Sequence, residues 1–341
     1  MRRPHFIATP AGAVGALALG CTPTGVAASS KHDDDETMAP VPPSIRELQP
    51  LAPAPVPITN TEREARIDKA RQLMAQHKLD AVFFVADGIH LEAPQVQIAS
   101  ATPVTAGGRM IKSAAEIALM QHGNDITITA YKAAWQTLRE GMSQDELGRN
   151  ITTAFNRLGA DGDVSVQFGQ YTAFPHGSAT PQHLKEGDVV MIDDGVKVEG
   201  YTSDITRTGV FGQPTQRQRD IWKLERRAQD AGFRAAQVGA PCEAVDAAAR
   251  KVITDSGFGP GYQVPGLPHR TGHGIGLDGH EWTYFVKGNK TPIQPGMCFS
   301  DEPTVAIYGE FGIRLEDCLH VTEAGPKFFT AQAPSIDHLF G

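Results

Sequence analysis

The sequence predicts an α+β domain assembled from two similar halves. Helical stripes that stop at Gly141 and Gly159 are answered by stripes that stop at Gly239 and Gly257, and both glycine pairs are 98 residues apart. Each pair of helices is followed by strand-like stretches. In the same register Asp204 matches Glu302, and His176 falls within one residue of His273. Side chains able to bind metal would then meet at the seam between the halves.

Met1 to Ala28 reads as an export signal. Arg2-Arg3 opens it, an apolar stretch runs from Ala11 to Gly20, and Val26-Ala27-Ala28 offers a small-residue cleavage site. The paired arginines with Phe6 resemble a twin-arginine signal, which implies a periplasmic or secreted protein; without a working leader the chain stays in the cytoplasm. Cleavage after Ala28 would take the net charge from −8 to −10. Leu19 stands one place late for a lipid-anchoring signal at Cys21.

Residues 29–60 carry an acidic triplet, Asp33 to Asp35, and then prolines at 40, 42, 43, 50, 53, 55 and 57. This composition predicts an extended or disordered linker that buries little apolar surface. Residues 61–109 read as a truncated amino-terminal α/β segment. Ile67, Ala70, Leu73 and Met74 keep helical spacing, and Leu79 to Val85 reads as a buried strand. So short a piece cannot build its own core and is expected to lean on the rest or on a second subunit.

Residues 110–341 are read as the main domain. Ser113 to Glu116 forms a capping box before a stripe from Ile117 to Leu138, weakened in the middle by Gly123-Asn124. Ser143 to Glu146 forms a second box before a helix that stops at Gly159. The second half repeats this, with Ile221 to Val238 as one stripe and Pro241 suited to the first turn of the next helix.

Composition is ordinary for a globular protein, with 40% hydrophobic and 21% charged residues. The negative charge and the lack of a basic block argue against nucleic acid, and no apolar run reaches the roughly 18 residues of a membrane span. None of the four cysteines forms a C-x-x-C pair; buried free thiols are the expectation for Cys242, Cys298 and Cys318.

The chemistry centres on Asp193 to Asp204. These carboxylates are eleven residues apart with Gly195 and Gly200 between them, which predicts a β-hairpin bringing both acids to one place. Downstream come His273 between Gly272 and Gly274, Glu302 before Pro303, and Glu316 after Arg314-Leu315. Two Asp, two Glu and one His make a hard donor set suited to Mn, Co, Fe or Zn. His269 and His273 are four apart, but the flanking glycines argue against a helical zinc motif. A pair of cations on such a set would activate a shared water and polarise a carbonyl, and a neutral or protonated His would supply donors to the resulting oxyanion; His176, His269, His273 and His280 all stand in Gly- or Pro-rich settings. The reaction class is metal-assisted hydrolysis of an amide or ester.

These residues resemble the pita-bread (creatinase/aminopeptidase) metallopeptidases: methionine aminopeptidase, Xaa-Pro aminopeptidase and prolidase. The resemblance runs from about 112 to 325. It implies two divalent ions, Mn first among them, held by Asp193, Asp204, His273, Glu302 and Glu316, with Glu302 also activating the water. His176 and His280 match the family's substrate and transition-state histidines. His269 and Arg314 match substrate-binding positions of the proline-specific branch. The implied substrates are therefore short proline-containing peptides cut at the Xaa-Pro bond, by a dipeptidase or an aminopeptidase, and the branch is compatible with a homodimer. Three features depart from the pattern: Thr304 where Gly is expected, Asp194 where an apolar residue is commoner, and an amino-terminal domain much shorter than usual. That shortening leaves two alternatives: a non-catalytic binding module of the same fold, and a metallopeptidase of other specificity.

Overall fold

In the computed structural model, residues 40–82, 95, 97, 99–175 and 177–340 are described. The chain divides into Met1–Pro40 and a compact unit, Val41–Gly341, which contains everything discussed below.

The proline-rich stretch departs from expectation. Residues Pro43–Arg46 form a short helix, α1, led by prolines at positions where a missing N–H costs nothing. Ile45 is 0% exposed among Ile126, Ala130, Phe155 and Leu158, and Ser44 Oγ donates to Ala133 O at 2.9 Å. One well-placed isoleucine is enough to dock a segment whose average composition is that of a linker. Helix α2, Asn60–Gln76, carries a complete capping box between Thr59 and Glu62. Helix α3, Thr102–Arg109, follows. The regular elements among the described residues of 61–109 are thus helices, with no strand. Leu79 to Val82 are irregular, and the rest of the expected strand lies outside the described residues.

Helix α4, Ala114–Trp135, has the predicted capping box and runs unbroken through Gly123. The small residue there lies against Ser203 and Val198, so packing outweighs the local cost of glycine in a helix. The helix ends at Trp135, short of Gly141. Helix α5, Gln144–Arg157, is capped by Ser143, which accepts the Glu146 N–H at 3.1 Å; the return half of the expected box is not made.

Strand β1 (Asp161–Phe168) is followed by a 3₁₀ turn at Gly169–Ala173, then β2 (Val189–Val198), β3 (Tyr201–Thr202) and β4 (Arg207–Val210). Strand β2 pairs antiparallel with β1 along one edge and with β3 and β4 along the other. The β2–β3 turn is Glu199-Gly200, with φ of 50° and 87°. Two positive φ values match the twist of a two-residue hairpin, which glycine adopts without strain.

The second half opens with α6, Gln216–Ala235, and α7, Cys242–Asp255. Pro241 is the N-cap of α7 rather than a first-turn residue. Strands β5 (Gly272–Gly274), β6 (Glu281–Phe285), β7 (Cys298–Asp301), β10 (Asp317–Thr322) and β11 (Gly325–Phe328) form an antiparallel sheet in the order β11-β10-β7-β5-β6. Strands β8 (Thr304–Ile307) and β9 (Phe311–Arg314) form a separate hairpin.

Hydrogen bonds repeat across the halves. Gly141 N donates to Leu184 O and Gly239 N to Ile293 O, both at 2.8 Å. Gly187 N donates to Phe211 O and Gly296 N to Val321 O, again at 2.8 Å. Each helix pair covers its own sheet, and the apolar clusters lie between helices and strands. Cys242, Cys298 and Cys318 are buried free thiols. No helix among the described residues is long and apolar enough to cross a membrane.

Candidate metal centre

The hairpin carries its two acids to the seam. Asp193 sits in β2, Asp204 just beyond β3, His273 in β5, Glu302 just beyond β7, and Glu316 between β9 and β10. All five line one cavity of about 180 Å³ with Pro175, Asp194, His269, Arg270, His280 and Arg314. Ligand atoms of Asp204, His273 and Glu316 lie within 4.8 Å of one another. His176, expected here from the sequence, lies outside the described residues.

Glycine makes room for His273. A Cβ on Gly272 would stand 2.2 Å from Ser300 O, so only glycine lets β5 approach β7 this closely. The His273 N–H donates to Ser300 Oγ at 3.1 Å. The ring Nδ1 lies 3.0 Å from Gly274 O. A carbonyl only accepts, so Nδ1 carries a hydrogen and Nε2 is the atom turned toward the acids. Nε2 is 3.2 Å from Glu302 Oε1 and 3.5 Å from Asp204 Oδ2.

The electrostatics fit a cation. Burial, reinforced by Asp193, pushes the Asp204 carboxyl well above its ordinary range. Burial, with Asp204 and Glu302, does the same to Glu316. Burial also raises Glu302, but His273, His269 and Arg314 outweigh it and hold this carboxyl below its usual range. Burial lowers His273, yet Glu302 and Asp204 raise it overall. Glu316 Oε1 is buried without a hydrogen-bond partner. Packed carboxylates, an orphaned oxygen and an imidazole nitrogen facing acids form a donor set for divalent cations.

Thr206 organises the opposite wall. Its Oγ1 is 2.5 Å from Asp193 Oδ1 and 2.6 Å from Glu316 Oε2, and it accepts from Arg314 Nε at 2.9 Å. Arg314 is also ion-paired with Asp193 and reaches Pro175 O. The guanidinium expected to meet substrate is therefore largely engaged with the Asp193 carboxylate and the loop at Pro175. Arg207, fully buried, holds Thr206 O and Glu316 O through Nη1 and Asp317 through Nη2. Neither Thr206 nor Arg207 was singled out from sequence, although both lie within three residues of Asp204.

His269 and Thr304 explain one departure. His269 Nδ1 donates to Arg270 O at 2.6 Å, so Nε2 accepts from Thr304 Oγ1 at 2.9 Å. Burial lowers this imidazole's affinity for a proton, consistent with a neutral ring. The hydroxyl found where glycine is expected occupies His269. The second departure, Asp194, has φ 82° and its carbonyl accepts from Tyr131 OH at 2.9 Å. Burial and then Asp193 raise its carboxyl to about 6, and its charge in turn raises Asp204. The His280 ring lies 4.1 Å, centroid to centroid, from His273, with Arg270 Nη2 3.3 Å from its Nε2.

Comparisons agree with this geometry. Residues 118–323 match metallopeptidase family M24. The chain is 34% identical over 226 residues to an Xaa-Pro dipeptidase of Lactobacillus delbrueckii subsp. lactis, a match covering 65% of this chain and 60% of that protein. An Xaa-Pro dipeptidase of Pyrococcus furiosus is 34% identical over 225 residues, covering 65% of this chain and 63% of its own length. The chain thus spans about 60% of the length of these curated relatives. Among solved structures, a prolidase from Pyrococcus furiosus superimposes with a TM-score of 0.63 at 33% identity, covering 67% of each chain. An X-Pro aminopeptidase from Thermotoga maritima gives 0.68 at 26% identity, covering 80% of this chain and 78% of that one. With the pita-bread architecture and its repeated halves in place, this chain belongs to metallopeptidase family M24.

Proposed function

We propose that this protein is a metal-dependent peptidase that hydrolyses the Xaa-Pro bond of short peptides and uses two divalent ions, with Mn²⁺ the first to test. The observation that carries the reading is the convergence of Asp193, Asp204, His273, Glu302 and Glu316 with His269, His280 and Arg314 around one cavity. Relatives of both proline-specific kinds, dipeptidase and aminopeptidase, support the substrate class.

Divalent cations held by the five ligands would supply Lewis acidity at the scissile carbonyl. Glu302, kept ionised by its neighbours, can accept a proton from the attacking water. His280 stands at the cavity wall, where its ring can donate to the developing oxyanion. His269 offers a neutral ring whose nitrogens are already engaged. The proline nitrogen of the substrate has no N–H, so recognition falls to contacts of this kind rather than to strand-like pairing.

The test uses the full chain, stripped with chelator and reloaded with Mn²⁺. Cleavage of Ala-Pro and Ala-Pro-Ala is followed by proline release and by mass. Hydrolysis of at least one is expected, restored by metal and lost in His280→Ala and Glu302→Ala. Ala-Pro alone makes the protein a dipeptidase; the longer peptide makes it an aminopeptidase. A folded, metal-loaded protein that cuts neither refutes the reading. We also propose export directed by residues 1–28, tested by amino-terminal sequencing of protein recovered from outside the cytoplasm.

A further inference from the structure

We propose that Glu281 positions His280, and that Arg109, at the end of the chain's short amino-side segment, and Lys112, at the start of the main domain, hold Glu281 for that task. The inference rests on the proposed function in giving His280 a substrate role. Glu281 follows His280 directly and begins β6. Its Oε2 accepts from Lys112 Nζ at 2.8 Å. Its Oε1 accepts from Arg109 Nη2 at 2.5 Å and Nε at 3.1 Å. The same Oε1 takes the backbone N–H of Leu277 at 2.7 Å and of Asp278 at 3.4 Å. Arg109 also reaches Asp278 Oδ2 at 2.7 Å. One carboxylate thus gathers the loop leading to His280, while Gly276 O accepts from Thr202 N of β3 at 2.7 Å and ties the loop to the first half.

Burial makes the arrangement informative. The Lys112 and Glu281 side chains are only 3% and 4% exposed. A buried ion pair stabilises a fold weakly compared with apolar packing, and geometric definition is a better-attested reason to keep one. Here the defined object is the turn bearing His280, which lines both the metal cavity and the larger cavity of about 660 Å³ beside it. Displacing a reacting group by about 1 Å can cost on the order of a hundredfold in rate. The short amino-side region therefore contributes to the site through Arg109.

The experiment compares wild type, E281Q and the charge-balanced K112M/E281Q, which leaves no buried unpaired ammonium. Mn²⁺ affinity, Ala-Pro kinetics and amide hydrogen exchange of residues 276–280 are measured. Mn²⁺ affinity should stay within about threefold, exchange at Leu277 and Asp278 should accelerate, and kcat should fall roughly ten- to hundredfold with a smaller change in KM. Added to His280→Ala, K112M/E281Q should cost nothing further, because both changes act through one ring. Unchanged exchange, unchanged kcat or a fully additive loss in the His280→Ala background overturns the proposal. If wild type cleaves no proline peptide, the peptidase reading fails separately; faster loop exchange then still supports the clamp, and unchanged exchange overturns it.

Discussion

His273 and Glu302 face one another across the seam side of the second sheet, Nε2 to Oε1 at 3.2 Å, with the other ring nitrogen committed to Gly274 O. Glu302 and Asp204 raise this imidazole's affinity for a proton, which answers the negative charge of the site. A divalent cation takes over that role only by displacing it. His273, Asp204 and Glu316 all have raised pKa values, so cation binding releases protons. Mn²⁺ affinity should therefore rise from pH 5 to pH 7.5. Calorimetry in two buffers of different ionisation enthalpy should show net proton release, and His273→Ala should weaken binding at least roughly tenfold. A pH-independent affinity without proton release would contradict this account.

Thr206 has one hydroxyl hydrogen and two carboxylates within 2.6 Å of its oxygen. Thr206→Val keeps the shape and removes the bond that spaces Asp193 from Glu316. Mn²⁺ affinity should fall on the order of 10- to 100-fold, while the metal-free melting temperature changes little. Thermal melts across a Mn²⁺ series measure both.

Glu225, on α6, is fully buried, and among the described residues neither of its carboxylate oxygens has a well-formed hydrogen bond; the backbone of Leu315 offsets its burial only in small part. Burial, then Asp301, raises its pKa well above the ordinary value of 4.5. A carboxyl raised on folding contributes stability below its unfolded pKa and loses it as pH rises toward the folded one. Glu225→Gln should match wild type near pH 4 and become the more stable protein by pH 8. Each kcal/mol gained should move the melting temperature by about 2–4 °C. Equal melting temperatures at pH 8 would show that Glu225 is not buried as a strained acid.

Ile45→Ala tests whether the proline-rich stretch belongs to the fold. A fully buried isoleucine cut to alanine costs about 2–5 kcal/mol. Denaturant unfolding should show a loss in that range with an unchanged slope. A loss below about 0.5 kcal/mol would return residues 41–58 to the status of a linker.

Much of the domain was legible along the chain. The helix stripes, the caps at Ser113 and Ser143, and the Glu199-Gly200 hairpin are set by neighbours within a few residues, where propensity and turn chemistry operate. Ile45 was missed because composition averages over a segment, whereas docking depended on one side chain meeting a pocket made by distant helices. The helix runs on through the weak point at Gly123-Asn124 because packing against Ser203 outweighs local helix cost.

By itself the sequence determined the repeat, most of the helices and a set of side chains able to donate to a cation, because these follow from periodicity and from side-chain chemistry. Only the tertiary structure decided how those side chains are held. Arg314 turns to Asp193, Thr304 occupies His269, Thr206 stands between two acids, and Arg109 and Lys112 grip Glu281 from about 170 residues away. Such contacts join residues by distance and direction in space, and no local pattern in the chain encodes a hydrogen bond between strands that meet only when the two halves close.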